Sequence, residues 1–150
     1  MTVFRLPVLL VLFFLMLMYL LYFFGLEVRF LFPVYIEMSL VLFIAGLIII
    51  TIGAYHFRTA STTVNPLNPE KTTSLVIRGV YQYSRNPMYI GFLLWVTAGV
   101  VFSCNLISVI FPPMFIISAN HLYIDREENA LEKIFGNDYR QYKKDVRRWL

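Results

Sequence analysis

Three long apolar blocks leave this chain few ways to fold. Residues 6–26 (LPVLLVLFFLMLMYLLYFFGL) form the first, close to the roughly 20 residues a helix needs to cross a bilayer. The second covers 34–55. The third, 88–124, is too long for one crossing and breaks at Cys104-Asn105. It is therefore read as two spans, 88–103 and 106–124, joined by a tight turn. The second of these is expected to kink at Pro112-Pro113, where helix hydrogen bonds are lost. A soluble core is the alternative. With 59% hydrophobic residues in 150, however, there is too little polar surface to wrap such helices. The first block does not read as a secretory signal: only Arg5 precedes it, the run is too long, and no small-residue cleavage site follows. The expected fold is all-α, a polytopic membrane helix bundle forming one domain over 1–150. It has four transmembrane helices, a loop over 56–87 and a polar tail over 125–150.

The charges orient this bundle. Of 13 basic residues, Arg5 precedes the first span and Arg29 follows it. Four (Arg58, Lys71, Arg78, Arg85) lie in the 56–87 loop, and the other seven follow residue 124. With four spans, 12 of the 13 share one side, which the positive-inside rule makes cytoplasmic. Both termini are then expected in the cytoplasm. The net charge of +4 reflects topology and contact with anionic headgroups, and there is no soluble basic groove with stacking aromatics to suggest nucleic acid. The single cysteine, Cys104, rules out an internal disulfide or a cysteine metal cluster and reads as a small filler at the turn.

Pro33 suits the start of the second span, with Glu37 favoured by the positive end of that helix; the Glu27-Arg29 pair closes the first. Gly46 and Gly53 in span two, and Gly91, Ala98 and Gly99 in span three, recur on one face each and would let helix backbones approach closely. Asn65-Pro66 and Asn68-Pro69 signal turns. In the tail, Gly136 is a natural helix stop and Asn137 a plausible N-cap. Leu131 and Phe135 share one helical face; Tyr139, Tyr142 and Val146 share the next. Two amphipathic helices on the cytoplasmic face are expected.

The stretch RGVYQYSRNPMYIG, residues 78–91, carries the chemistry. Its structural reading is simple: Asn86 caps the third span, Pro87 takes its first position, Arg85 anchors the interface, and Tyr81, Tyr83 and Tyr89 join an aromatic belt. The functional reading rests on convergence. A helix N-terminus beside Arg85 offers donors for a carboxylate or phosphate. Gly79 and Gly91 would let a flat ligand approach the backbone. Glu127 and Glu128 follow the fourth span on the same side, so the two groups would face each other across a small pocket. Their own structural reading is as carboxylates at a helix start. Cationic donors opposite acceptors suit a ligand bearing an ammonium, a carboxylate and ribose hydroxyls.

The pattern G-x-Y-x-x-x-R-N-P-M-Y-x-G (Gly79, Tyr81, Arg85, Asn86, Pro87, Met88, Tyr89, Gly91) resembles the isoprenylcysteine carboxyl methyltransferase family. So does E-E-x-x-L-x-x-x-F-G-x-x-Y-x-x-Y (Glu127, Glu128, Leu131, Phe135, Gly136, Tyr139, Tyr142). Phospholipid N-methyltransferases are similar in the same two regions. The likeness covers about residues 59–148, including the basic end "VRR". It implies S-adenosylmethionine as methyl donor, held by Gly79, Tyr81, Arg85, Asn86, Pro87, Tyr89 and Gly91 on one side and Glu127 and Glu128 on the other. Arg85 and Glu128 are the candidates for a catalytic role. Many members of the family carry histidine where this chain has Asn86, which keeps hydrogen-bonding capacity but loses a titrating ring. The chain also lacks room for the extra helices of larger members.

The acceptor is expected to be lipophilic, entering from the bilayer. A carboxylate or thiolate needs no general base, whereas an ammonium must first lose a proton. The two histidines, His56 and His121, read better as interfacial side chains than as bases, so a carboxylate or thiol acceptor is favoured over a phospholipid amine. The reading from a different class is a non-catalytic membrane protein whose basic tail binds lipid or a partner helix.

Overall fold

The computed structural model describes residues 5–26, 28–30, 35–59 and 75–150. The first apolar block forms α1 (Arg5–Phe23) and the second forms α2 (Tyr35–Thr59), with Glu37 in its first turn. The third divides where expected. α3 (Pro87–Ser103) ends at Cys104, whose left-handed backbone (φ 46°) reverses the chain. Beyond it, a 3-10 turn (Leu106–Ile110), α4 (Phe111–Ala119), a π turn (Asn120–Ile124) and α5 (Asp125–Phe135) follow one another without a gap. Gly136, at φ 52°, turns the chain into α6 (Asn137–Asp145). Among the described residues there is no strand beyond one isolated bridge between Arg29 and Asn105.

α3 is the centre of the bundle: α2 packs along it, and α1 and α4 lie against it elsewhere. The buried core joins Val11, Phe14 and Met18 of α1 to Phe92, Val96 and Val100 of α3 and Phe111 and Phe115 of α4. The small residues work as expected between α2 and α3. A methyl group at Gly46 would meet the Gly91 carbonyl at 2.7 Å, and one at Gly53 would meet Met88. Gly99 differs: it faces Leu15 and Met18 of α1.

Two helical stretches, Tyr35–Thr59 and Leu106–Phe135, are long and apolar enough to cross a membrane; Pro7–Phe23 and Pro87–Ser103 are apolar but shorter. Only 17% of the apolar window in α2 is buried inside the protein. The remainder is hydrophobic surface that water disfavours and lipid accepts.

Local expectations are corrected at several points. Pro112 and Pro113 fall in the first turn of α4, where a missing N–H costs little, so they start the α-helix and do not kink one. The irregularities sit at the ends, as the 3-10 turn before and the π turn after. The N-cap of α6 is Gly136, and Asn137 is already helical. Glu27, Pro33 and both Asn-Pro turns lie outside the described residues.

At the Cys104 end, Asn105 ties the turn to the chain after α1. Its Oδ1 accepts from the Val28 N–H (3.2 Å) and the Ile107 N–H (3.1 Å), and its Nδ2 donates to the Leu26 carbonyl (3.2 Å). Buried backbone groups near lipid need such partners. The opposite end of α3 carries a larger polar cluster.

Candidate functional site

Tyr142 and Tyr139 of α6 are buried, and the Tyr142 hydroxyl donates to the Tyr81 carbonyl at 2.6 Å. That contact fixes α6 under the 3-10 turn Gly79–Gln82. The chain leaving α6 then runs back along residues 84–86. The Arg85 N–H donates to the Arg147 carbonyl (3.0 Å), the Ser84 hydroxyl to the Arg148 carbonyl (3.2 Å), and the Asn86 side-chain amide to the same carbonyl (3.1 Å). Asn86 thus stands at the N-cap position of α3 without capping it, since its side chain is spent on residue 148. Pro87 takes the first helical position, as expected.

The two halves of the motif meet directly. Arg85 Nη2 lies 3.0 Å from Glu128 Oε1, and both side chains are nearly buried, at 10% and 5% exposure. Arg85 Nη1 donates to the Lys143 carbonyl at 3.0 Å. The sequence reading set Arg85 and the glutamates across a pocket; Arg85 and Glu128 are instead in contact, because a buried carboxylate requires a cation against it. A second guanidinium completes the pair: Arg148 Nε and Nη2 donate to the two Glu128 oxygens at 3.2 and 2.7 Å, and its Nη1 to Asp125 at 2.9 Å.

Glu127 has a separate environment. Its Oε1 accepts from the Tyr89 hydroxyl at 2.8 Å, and Tyr123 stacks on the Tyr89 ring. Burial pushes the Glu127 carboxyl up to about 7; the Tyr89 hydrogen bond opposes the rise and the Glu128 charge adds to it. Tyr81 is buried as well. Its burial, with Tyr142 and Glu127 nearby, holds the hydroxyl well above the ordinary phenol range, so it remains a donor.

Among the described residues, Tyr81 Oη and Arg85 Nε are buried without a hydrogen-bond partner. Unpaired buried donors are costly and call for an explanation. Both lie in the stretch 78–91, alongside Glu127, Glu128 and Tyr89. The aromatic-belt reading fails for Tyr81 and Tyr89, each 4% exposed, whereas Tyr83 is exposed. The glycine reading also changes. Where a side chain would stand at Gly79 the ring of His56 sits, and at Gly91 stand Ile50 and the Gly46 carbonyl, so at both positions the open space admits protein.

Asp125, Ser84 and Trp149 are not singled out by the sequence, which leaves open whether Arg147 and Arg148 touch a ligand or only headgroups. The signal available was the adjacent Glu127 and Glu128 beside an apolar span, two carboxylates against the single Arg85, and the "VRR" end that supplies further cations. An open groove of about 600 Å³ bordered by Asn129, Glu132, Lys133 and Arg140 involves none of the motif residues.

A family model described as phospholipid methyltransferase matches residues 34–138. The chain is 33% identical over 111 residues to protein-S-isoprenylcysteine O-methyltransferase B of Arabidopsis thaliana, covering 67% of this chain and 55% of that protein. It is 39% identical over 72 residues to protein-S-isoprenylcysteine O-methyltransferase of Dictyostelium discoideum, covering 48% of this chain and 30% of that one. It is also 41% identical over 63 residues to an uncharacterized protein of Haemophilus influenzae, covering 42% of this chain and all of that protein. The chain thus spans about half or less of the length of the two named methyltransferases. No solved structure matches.

Proposed function

The chain belongs to the phospholipid methyltransferase family, and from that premise we propose that it is an S-adenosylmethionine-dependent methyltransferase acting at the cytoplasmic face of a membrane. Its acceptor is a lipophilic molecule, an isoprenylcysteine carboxylate foremost, as the names of its relatives suggest. The observation that carries the reading is the Arg85–Glu128 contact, which unites two distant motif halves in one cluster. In this reading α1, α2, α3 and the stretch 106–124 are four spans, both termini are cytoplasmic, and α5 and α6 are amphipathic helices on that surface.

The donor set fits the cofactor. Two buried donors lacking partners among the described residues, Tyr81 Oη and Arg85 Nε, suit the carboxylate or ribose oxygens of such a ligand, and the Glu127 carboxylate suits its cationic part. S-adenosylmethionine, when bound, supplies the electrophilic methyl group. The protein's task is alignment of acceptor and donor and exclusion of water. Arg85 is held at both terminal nitrogens, and its Nε is the buried guanidinium nitrogen left without a partner among the described residues. Glu128 grips Arg85, while Glu127, held by Tyr89, is the acidic side chain left to face the ligand. Asn86 and Pro87 shape the start of α3; Gly79 and Gly91 set the backbone around it. The purified protein in detergent is expected to bind S-adenosylmethionine and to transfer a labelled methyl group to a prenylated cysteine. Arg85→Ala and Glu127→Ala should each weaken binding by roughly tenfold or more. Absence of binding by the unaltered protein, or labelling of no membrane-borne acceptor, overturns the reading.

A second reading, a phospholipid amine as acceptor, is favoured by Glu127. A carboxyl that titrates near 7 can take the proton an ammonium must lose, a base that the histidines did not offer. Comparing prenylcysteine with phosphatidylethanolamine in the same assay separates the two.

A further inference from the structure

The residues that follow α6 make most of the polar contacts of the Arg85 loop. Ser84, Arg85 and Asn86 all donate to carbonyls of residues 147 and 148, and Arg85 also reaches that of Lys143. Arg148 then works in the opposite direction. Its backbone carbonyl holds the loop, while its guanidinium takes both oxygens of Glu128 and one of Asp125 on α5. The next residue, Trp149, donates from its indole to Asn120 Oδ1 in the π turn, at 3.2 Å. One short segment therefore bridges the entry to α3 and the start of α5. Burial falls outward from Glu128 (5% exposed) through Arg85 (10%) to Arg148 (33%).

From this geometry we infer that Arg148 is a positioning residue: by fixing Glu128 it fixes the Arg85 guanidinium, and its docking shapes the cofactor site. The planar fork of an arginine matches the two carboxylate oxygens, which a lysine ammonium cannot do. The inference rests on the proposed cofactor reading and goes beyond it, because Arg148 itself need touch no ligand.

The test is a double-mutant cycle on the purified full chain in detergent, with S-adenosylmethionine as probe, using Arg148→Ala, Glu128→Gln, the pair together, and Arg148→Lys. Lys144→Ala removes an exposed charge from the last turn of α6 and serves as control. Arg148→Ala is expected to weaken binding roughly tenfold and to raise the cofactor KM more than it lowers kcat, and the double variant should lose little beyond the larger single loss. Arg148→Lys should recover only part. Hydrogen exchange at the Arg85 amide, which is bonded to residue 147, should quicken in Arg148→Ala and not in Lys144→Ala. Losses that multiply independently, or unchanged binding and exchange in Arg148→Ala, overturn the inference while leaving the cofactor reading in place. Failure of the unaltered protein to bind overturns the cofactor reading itself, and the inference with it.

Discussion

Glu127 couples the site to pH. Its carboxyl is raised from an ordinary 4.5 to about 7, with Tyr89, Tyr81 and Glu128 as the groups facing it. A folded-state value above the unfolded one favours folding below about 4.5 and loses that benefit as pH rises through 7. Glu127→Gln keeps an acceptor for Tyr89 but never ionises. Its thermal unfolding in detergent should therefore vary less between pH 5 and 8 than that of the unaltered protein. At pH 8 the variant should be the more stable by about 1–3 kcal/mol, although it binds S-adenosylmethionine less well. An equal fall in both proteins would show that Glu127 is not buried as described. Arg85 and the glutamates were legible in the sequence because their residue types and order fit a ligand. The basic end was legible too, but not which of its two arginines reaches the site, since Arg147 and Arg148 have the same side chain. The exposed Arg147 and the clamped Arg148 are told apart only by where the backbone turns after α6.

At the scale of elements, the apolar blocks and the break at Cys104-Asn105 could be read from hydropathy alone, because a span must be apolar throughout. The ends could not. Asn86 looked like a cap, but a tertiary partner, the Arg148 carbonyl, claimed its side chain. Pro112-Pro113 looked like a kink because no residue after Asn105 marks where the 3-10 turn ends and the α-helix begins. The glycine spacing did predict close helix approach, though not which helices meet, and the α2–α3 contact at Gly46 can be tested. At Gly46 an added methyl would stand 2.7 Å from both the Gly91 carbonyl and Trp95 Cδ1. Gly46→Ala should push the helices apart, strain the Trp95–Phe43 hydrogen bond of 3.0 Å, and destabilise the protein by roughly 1–3 kcal/mol in thermal unfolding. An unchanged melting temperature would mean that the two helices are not in backbone contact there.

At the scale of the whole molecule, the bundle has a polar knot at each end of α3. The Asn105 end is tied to residues 26, 28 and 30; the Arg85–Glu128–Arg148 knot lies among the basic residues that follow α4. If the four apolar stretches all cross, these ends lie on opposite sides of the membrane, the basic one against anionic headgroups. Val28 is 53% exposed beside the first knot, and Lys144 is exposed beside the second. With Cys104 changed to serine, the chain has no other cysteine, so one can be introduced at either position. In right-side-out vesicles an impermeant maleimide should label Val28→Cys at once and Lys144→Cys only after permeabilisation. The reverse order would invert the orientation. Simultaneous labelling would place both knots on one side, and an acceptor could then no longer slide from the inner leaflet to Arg85 by the route that the charge distribution implies.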